Sequence, residues 1–344
     1  MRIGLIHGDG IGPEVIESAK KVLDAVDFDA DYVYVNVGYE RWKRDGVAIT
    51  EEDIETLKGC NAILKGPTQS MPQYESPALK IRQSLDLYAN VRPIESLPYS
   101  GKKFDLIIIR ENTEGSYVGE YLIKRIREEY GIDIRNFRDD KSGLAVNTRI
   151  ITRKCSERIA RFAFDYARKH KRKKVCCVHK VNIIKETDGL FNDIFYEVSK
   201  DYPDIENSDM NIDACSMELI QKPYDFDIIL TENLYGDILS GIAAGLTNIG
   251  ILGSMNIGEK YALFEPVHGT APDIAGSGNA NPIAQIRSGQ YMLEYLGCGN
   301  KAKRIEEAIE NILIDRKVMT EDLGGTANTK ELTEELIKKL KVIE

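Results

Sequence analysis

Residues 262 to 282 hold a dense collection of groups able to contact a small polar ligand. Glu265, His268, Gly269, Thr270, Ala271, Pro272, Asp273 and Ile274, with Asn281 shortly after, combine small residues, a histidine and acids in a turn-prone segment too polar for a core strand. This composition is expected where backbone must approach a ligand closely, and the segment reads as a cofactor loop. Arg82, Arg92 and Arg110 form a second set. Arg82 closes a helical pattern after Leu79 and Ile81, Arg92 lies between Leu87 and Pro93, and Arg110 directly follows the apolar run Leu106 to Ile109. A charge at the carboxyl end of a buried strand points into the crevice where α/β proteins bind ligands, and guanidinium forks suit planar carboxylates. Taken singly, each arginine would also suit a surface.

Gly8-Asp9-Gly10-Ile11-Gly12-Pro13-Glu14 follows the first apolar run and opens a helical pattern, the place of a dinucleotide-binding turn. The match to that fingerprint is imperfect. Pro13 and Glu14 stand where its third glycine belongs, and a glutamate in the first turn repels a pyrophosphate at a helix N-terminus. A tight strand-to-helix turn is the better reading.

The elements that must position these groups alternate between short apolar runs (Ile3 to Ile6, Ala62 to Leu64, Leu106 to Ile109, Val175 to Val178, Ile228 to Leu230) and amphipathic helical patterns. Such alternation marks an α/β protein with a largely parallel sheet. Pro13 opens a helix with a stripe of Val15, Ile16, Ala19, Val22, Leu23 and Val26, and Ser156 is expected to cap another carrying Ile159, Phe162, Ala163, Tyr166 and Ala167. Residues 119 to 149, less regular and rich in Arg, Asp and Glu, suit an excursion from the main sheet.

At 344 residues with a formal charge of −9, the chain has room for two domains and is poorly suited to binding nucleic acid or anionic membrane over its whole surface. The basic cluster Lys169 to Lys174 lies between a helix and a strand, where cations complement a helix C-terminus, and aromatics are absent from it. No apolar run reaches the roughly 20 residues of a membrane span, and the opening breaks into Gly8-Asp9-Gly10 before a signal core could form. A cytoplasmic site is expected. The six cysteines lack CxxC spacing and read as reduced structural residues.

The segment from Glu265 to Ile274 resembles the adenosine-binding loop of the β-decarboxylating dehydrogenases, the isocitrate, 3-isopropylmalate and homoisocitrate dehydrogenase family. The resemblance continues through Gly8 to Glu14, the segment Arg110 to Tyr117, His179-Lys180-Val181-Asn182, Asn233 to Asp237 and Asp322-Leu323-Gly324-Gly325. It implies an isopropylmalate dehydrogenase-like two-domain α/β fold, not a true Rossmann fold. Residues 1–98 and 246–344 would build the large, cofactor-binding domain, and 99–245 the small one, with the 119–149 excursion as a dimer-forming arm. It further implies that Arg82, Arg92 and Arg110 bind the carboxylates of a malate-type substrate, with Ser76, Leu79 and Asn182 beside it. Tyr117 would protonate the enolate carbon after decarboxylation. Lys180, supplied by the second subunit of a homodimer, would assist proton removal from the hydroxyl. Either group shuttles a proton near neutral pH only if neighbours lower its pKa. Asp213 and Asp237 align with carboxylates for Mg²⁺ or Mn²⁺, and Ile11 and Asp322 with cofactor contacts.

Three differences from relatives carry weight. Gly241 stands where most active members carry a second aspartate one helical turn after Asp237, a change that a non-catalytic regulatory subunit would also show. Asp273-Ile274 occupies the place where NADP-dependent relatives carry Lys-Tyr, and a carboxylate there accepts from ribose hydroxyls while repelling a 2′-phosphate, so NAD is expected. Upstream of Arg82, Ala78 replaces the asparagine usual in isocitrate enzymes, while Glu75 and Leu79 fit an apolar C3 substituent. These features favour 3-isopropylmalate over isocitrate or homoisocitrate.

Overall fold

The computed structural model describes residues 1–343. Twelve strands occur among them: β1 (Arg2–Ile6), β2 (Asp31–Tyr34), β3 (Ala62–Lys65), β4 (Ala89–Glu95), β5 (Asp105–Glu111), β6 (Phe137–Asp139), β7 (Leu144–Val146), β8 (Lys174–His179), β9 (Glu206–Asn211), β10 (Ile228–Thr231), β11 (Gly253–Ile257) and β12 (Ala262–Pro266). The α-helices are α1 (Gly12–Ala25), α2 (Tyr39–Asp45), α3 (Glu51–Lys58), α4 (Pro77–Ser84), α5 (Glu120–Tyr130), α6 (Arg153–Lys169), α7 (Lys185–Ser199), α8 (Ile212–Gln221), α9 (Asn233–Gly245), α10 (Ile283–Tyr295), α11 (Gly299–Asp315) and α12 (Thr329–Leu340).

Ten strands form one sheet in the order β2-β1-β3-β12-β11-β4-β5-β10-β8-β9. Pairing is parallel on both flanks and antiparallel through the centre, where β11 pairs with β12 and β4, and β4 with β5. Three successive antiparallel pairings reverse the direction, so β1, β3 and β12 run opposite to β5, β10, β8 and β9. The carboxyl ends of the two parallel flanks therefore face opposite ways. No single carboxyl edge can gather all of the expected site residues.

The five apolar runs are strands, and α1 buries Val15, Ile16, Ala19, Val22 and Leu23 as its 3.6-residue stripe requires. Two details differ from expectation. Thr152, not Ser156, caps α6: its hydroxyl accepts from Cys155 N, while Ser156 lies inside the first turn and donates to Thr152 O at 2.8 Å. Segment 119–149 does leave the main sheet, but it contains a full helix, α5, whose Leu122 and Ile126 pack with Ile150, before the β6–β7 ribbon. The large apolar core runs along the sheet from Ile3 to Leu340 and takes residues from α1, α8, α9, α10, α11 and α12, while α6 and α7 cover a second core with β5, β8 and β10. We propose the division into 1–98 with 246–344 and 99–245; its boundaries fall in the β4–β5 loop and at the end of α9, and β4 and β5 pair from Ala89↔Glu111 to Glu95↔Asp105 across it.

Candidate active site

A polar patch occupies one face of the antiparallel centre. Asn90 on β4 lies opposite Arg110 on β5 and opposite Asn256 on β11. Two residues further along β4, Arg92 points to the same face, and Glu265 on β12 lies opposite Ser254. Side chains alternate along a strand, so these registers alone set Arg110, Arg92, Asn90, Asn256 and Glu265 side by side. The expected carboxyl-end placement holds for Arg110, while Arg92 is mid-strand.

Arg110 is 1% exposed and bridges two residues one turn apart on α9. Its Nε and Nη2 donate to Asn233 Oδ1 at 3.1 and 2.7 Å, and its Nη1 to Asp237 Oδ1 at 2.8 Å. Arg92 Nη1 reaches the same Asp237 oxygen at 3.4 Å. Tyr117 donates its hydroxyl to Asp237 Oδ2 at 2.9 Å, and the Arg110 guanidinium lies 5.3 Å from its ring centroid. Behind them, Arg82 Nη2 and Lys65 Nζ donate to the two oxygens of buried Glu265 at 2.8 and 2.7 Å, and Asn256 adds a third bond at 2.9 Å.

Burial, with Arg110 nearby, lowers the Arg92 guanidinium to about 10. Burial also lowers Arg110, against the opposing pull of Asp237. Burial opposes ionisation of Asp237, but Arg110 and Arg92 hold it below the usual carboxylate range, and Lys65 and Arg82 do the same for Glu265 despite its burial. For Tyr117 the outcome departs from the sequence expectation of a lowered pKa. Burial raises it, and Arg110 only partly offsets this, so the phenol keeps its proton at neutral pH and acts as a donor.

Lys180 and Asp213 stand apart from this cluster. Lys180 follows β8, Asp213 opens α8 after β9, and their side chains pair with each other. Strands lie ~4.8 Å apart, so β8 is two strands and roughly 10 Å from β5, and Lys180 turns further away toward Asp213. Buried Asp188 fixes the Lys180 backbone N–H at 2.6 Å and pairs with Arg149. Asn182 lies exposed in the turn after β8.

Among the described residues of one chain, no three His, Cys, Asp or Glu side chains converge on a metal position. Asp237, 46% exposed, and Asp213, 69% exposed, are separate oxygen donors. Few protein carboxylates with substrate and water suffice for a hard divalent cation, so oxygen donors of this kind fit one. Gly241 lies one turn beyond Asp237, with open space where a Cβ would be.

The cofactor loop is tied to the first strand-to-helix turn. Ile11 N–H donates to Thr270 O at 2.9 Å, and the Ile11 side chain packs on Ala271, Val15 and Ala280. Asp9 accepts from Tyr39, Glu40 and Gln69 backbone N–H groups, so the turn organises neighbouring protein segments. His268 Nδ1 donates to Gly269 O at 2.9 Å, burial keeps the ring neutral, and its buried Nε2 has no partner. Pro272–Ile274 is an exposed turn entered through Ala271 at φ 39°. Asn281 Nδ2 donates to Asp322 Oδ2 at 2.9 Å. An orphaned imidazole nitrogen and the exposed turn that carries Asp273 fit an adenosine moiety. Glu265, although part of the same sequence run, lies behind Arg82.

Ser76 precedes α4 without capping it, and its hydroxyl lies 2.8 Å from that of Ser70. Leu79 packs beside Gly119. Glu75 lies 3.6 Å from Lys80, which also pairs with Glu51, so its charge is shared with a cation. Asn233, Lys65, Asn256 and Asp188 were not singled out from sequence; only Asn233 lay within a segment marked as a motif.

In an α/β protein with this sheet, the arginine–carboxylate–tyrosine cluster offers donors that suit a small polyanion. Residues 2–336 match the family model described as isocitrate/isopropylmalate dehydrogenase. The chain is 43% identical to the isocitrate/homoisocitrate dehydrogenase of Thermus thermophilus over 99% of this chain and 98% of that protein. It is 44% identical to the 3-isopropylmalate/3-methylmalate dehydrogenase of Methanocaldococcus jannaschii over 99% of each. The crystal structure of isocitrate dehydrogenase from Methylococcus capsulatus superposes with a TM-score of 0.91 at 39% identity, covering 99% of each chain. The chain belongs to the isocitrate/isopropylmalate dehydrogenase family, and it is an oxidoreductase of the β-decarboxylating dehydrogenase type. No helix among the described residues is long and apolar enough to cross a membrane.

Proposed function

We propose that the protein is a homodimeric, NAD-dependent oxidative decarboxylase of a 3-substituted malate, with 3-isopropylmalate as the favoured substrate and Mg²⁺ or Mn²⁺ as the assisting ion. The carrying observation is the convergence of Arg92, Arg110 and Tyr117 on Asp237, with Arg82 held beside them by Glu265. When bound, NAD would accept the electrons of the oxidised carbinol, and the divalent cation, held by Asp237 and by Asp213 of a second copy, would supply Lewis-acid polarisation.

The residues of the chain do the positioning and proton work. Arg82, Arg92 and Arg110 bind the substrate carboxylates, which take over donors now engaged by Asp237 and free that carboxylate toward the cation. Lys180 of the second copy assists removal of the hydroxyl proton as the carbinol is oxidised. After CO₂ departs, the protonated Tyr117 donates to the carbon left behind. His268, Asp273, Ile274, Asn281 and Asp322 hold the adenosine end, with Asp273 excluding a 2′-phosphate. Six free cysteines suit the reducing cytoplasm.

Leu79 and Ala78 favour an alkyl group at C3. Isocitrate or homoisocitrate is the second reading, supported by the paired Ser70 and Ser76 hydroxyls at the uncapped start of α4. Spectrophotometric NADH formation with 3-isopropylmalate, isocitrate, homoisocitrate and D-malate decides between them. Expected is a kcat/KM for 3-isopropylmalate at least roughly tenfold above isocitrate, about 1.4 kcal/mol of differential transition-state binding. A preference for isocitrate would assign the loop to the serine pair.

A further inference from the structure

Helix α10 is buried on every side from Ile283 to Leu293, and Arg287 sits at its middle. This arginine is 7% exposed, its Nε has no hydrogen-bond partner, and among the described residues it forms no ion pair within 4.0 Å. Burial opposes its charge, but Tyr291 and the Glu95 and Glu306 carboxylates more than offset this, so the guanidinium is charged and its Nε is free for an anion. Arg287 lines a cavity of about 160 Å³ bounded by Glu95, Pro98, Ile251, Glu310 and Leu313. A narrow recess of about 10 Å³ continues from it toward Tyr291.

The lining has three chemistries: the buried Arg287, the exposed acids Glu95 and Glu310, and the apolar Ile251, Leu313 and Ile314. A bare anion would meet Arg287 but also two carboxylates. A bare amine would meet the carboxylates but also Arg287. A small molecule carrying both a carboxylate and an ammonium, with a short aliphatic group, satisfies all three.

The cavity lies wholly within the part built from residues 1–98 and 246–344. Glu95 and Pro98 lie where the chain leaves β4, three and six residues beyond Arg92, and Ile251 ends the turn after α9. That turn is linked to the cofactor end, because Asn248 donates to Asp322 O at 2.8 Å. We propose that this cavity is a binding site for a free aliphatic α-amino acid, distinct from the arginine–Asp237 cluster, with the ligand carboxylate on Arg287 and its ammonium on Glu95 and Glu310.

Isothermal titration calorimetry of the full-length protein, without cofactor or malate, tests this with leucine and valine as probes. 4-Methyl-2-oxopentanoate, which lacks the ammonium, isoamylamine, which lacks the carboxylate, and inorganic phosphate are the controls. Saturable binding of leucine or valine is expected, with each control at least roughly tenfold weaker. Glu310→Gln, an exposed surface change that leaves the core intact, is expected to weaken leucine roughly fivefold, and Arg287→Met to abolish its binding in a protein whose melting temperature confirms folding. Absence of amino-acid binding, equal binding of phosphate or the oxo acid, or an unchanged affinity in Glu310→Gln would each overturn the assignment.

Discussion

Gly236 and Gly241 lie on the same helix, α9, yet an alanine at each should act in opposite directions. A Cβ at Gly236 would stand 2.5 Å from Arg110 Cγ, 2.7 Å from its Cβ and 2.9 Å from its Cδ. Carbon atoms pack at ~3.5–4.0 Å, so the Arg110 stem must retreat by roughly 1 Å, and a side chain only 1% exposed has nowhere free to go. The displaced guanidinium loses alignment with Asn233 and Asp237, and hydrogen bonds to charged groups contribute about 1.5–3 kcal/mol each. A misplacement of about 1 Å at a reacting centre costs on the order of a hundredfold. Gly236→Ala is therefore expected to lower kcat/KM by roughly 10²–10³ and to reduce stability by about 1–3 kcal/mol, despite alanine's better helix propensity. Gly241→Ala meets nothing within 4 Å and should keep activity while gaining up to about 1 kcal/mol. Steady-state NADH kinetics on whichever malate the unmodified enzyme prefers, with thermal melts of both variants, make the comparison. If Gly236→Ala melts higher and turns over normally, as Gly241→Ala is expected to, then Arg110 is not locked by α9 and the role assigned to this contact is wrong.

Asp273→Lys combined with Ile274→Tyr should shift preference from NAD toward NADP by roughly 2–4 kcal/mol, since a repulsion is removed and a cation added; equal use of both cofactors by the unmodified protein would refute the role of Asp273. Mixing inactive Lys180→Met chains with inactive Tyr117→Phe chains should restore activity, because one site of a mixed dimer would be intact; no recovery after verified subunit exchange would place both residues in one chain's site. Gly241→Asp should tighten Mg²⁺ in activity titrations, given the open space beside it and another oxygen ligand one turn from Asp237; unchanged or weaker Mg²⁺ dependence would show that the position does not face the ion.

The apolar runs were legible as strands because each is buried on both faces and reads as an unbroken hydrophobic segment. The centre and edges of the sheet were not. β4 and β11 carry Asn90, Arg92, Ser254 and Asn256 on the patch face, so the polarity that makes the site hides the strand. β9, at the sheet edge, has the sequence Glu206-Asn-Ser-Asp-Met-Asn211, whose exposed polar residues give no strand signal. The arginines could be picked out by position, but their anchors could not. Asn233 lies 123 residues from Arg110, and Glu265 lies 183 residues from Arg82 and 200 from Lys65, distances over which no local pattern reports a contact. Composition showed that the 262–282 loop was unusual, but not that Glu265 turns back into the sheet while Asp273 stays outside.

The charge balance of the polar patch bears on the substrate. Lys65, Arg82, Arg92 and Arg110 bring four cations to it, while Glu265 and Asp237 are the carboxylates paired with them, leaving a surplus of two positive charges. Packing cations together at this burial has a visible cost, since Arg92 falls to about 10 under burial and the nearby Arg110. A malate dianion would match that surplus, and its carboxylates would replace Asp237 as the acceptor between the arginines. A third carboxylate finds no unused cation within the patch. It would have to be held outside, at Ser70, Ser76 and the start of α4, where Lys80 is already shared by Glu51 and Glu75. On the proposed function, discrimination among malates would rest on whether that loop presents hydroxyl donors or the Leu79 side chain to C3, while the arginines would recognise what all of these substrates have in common.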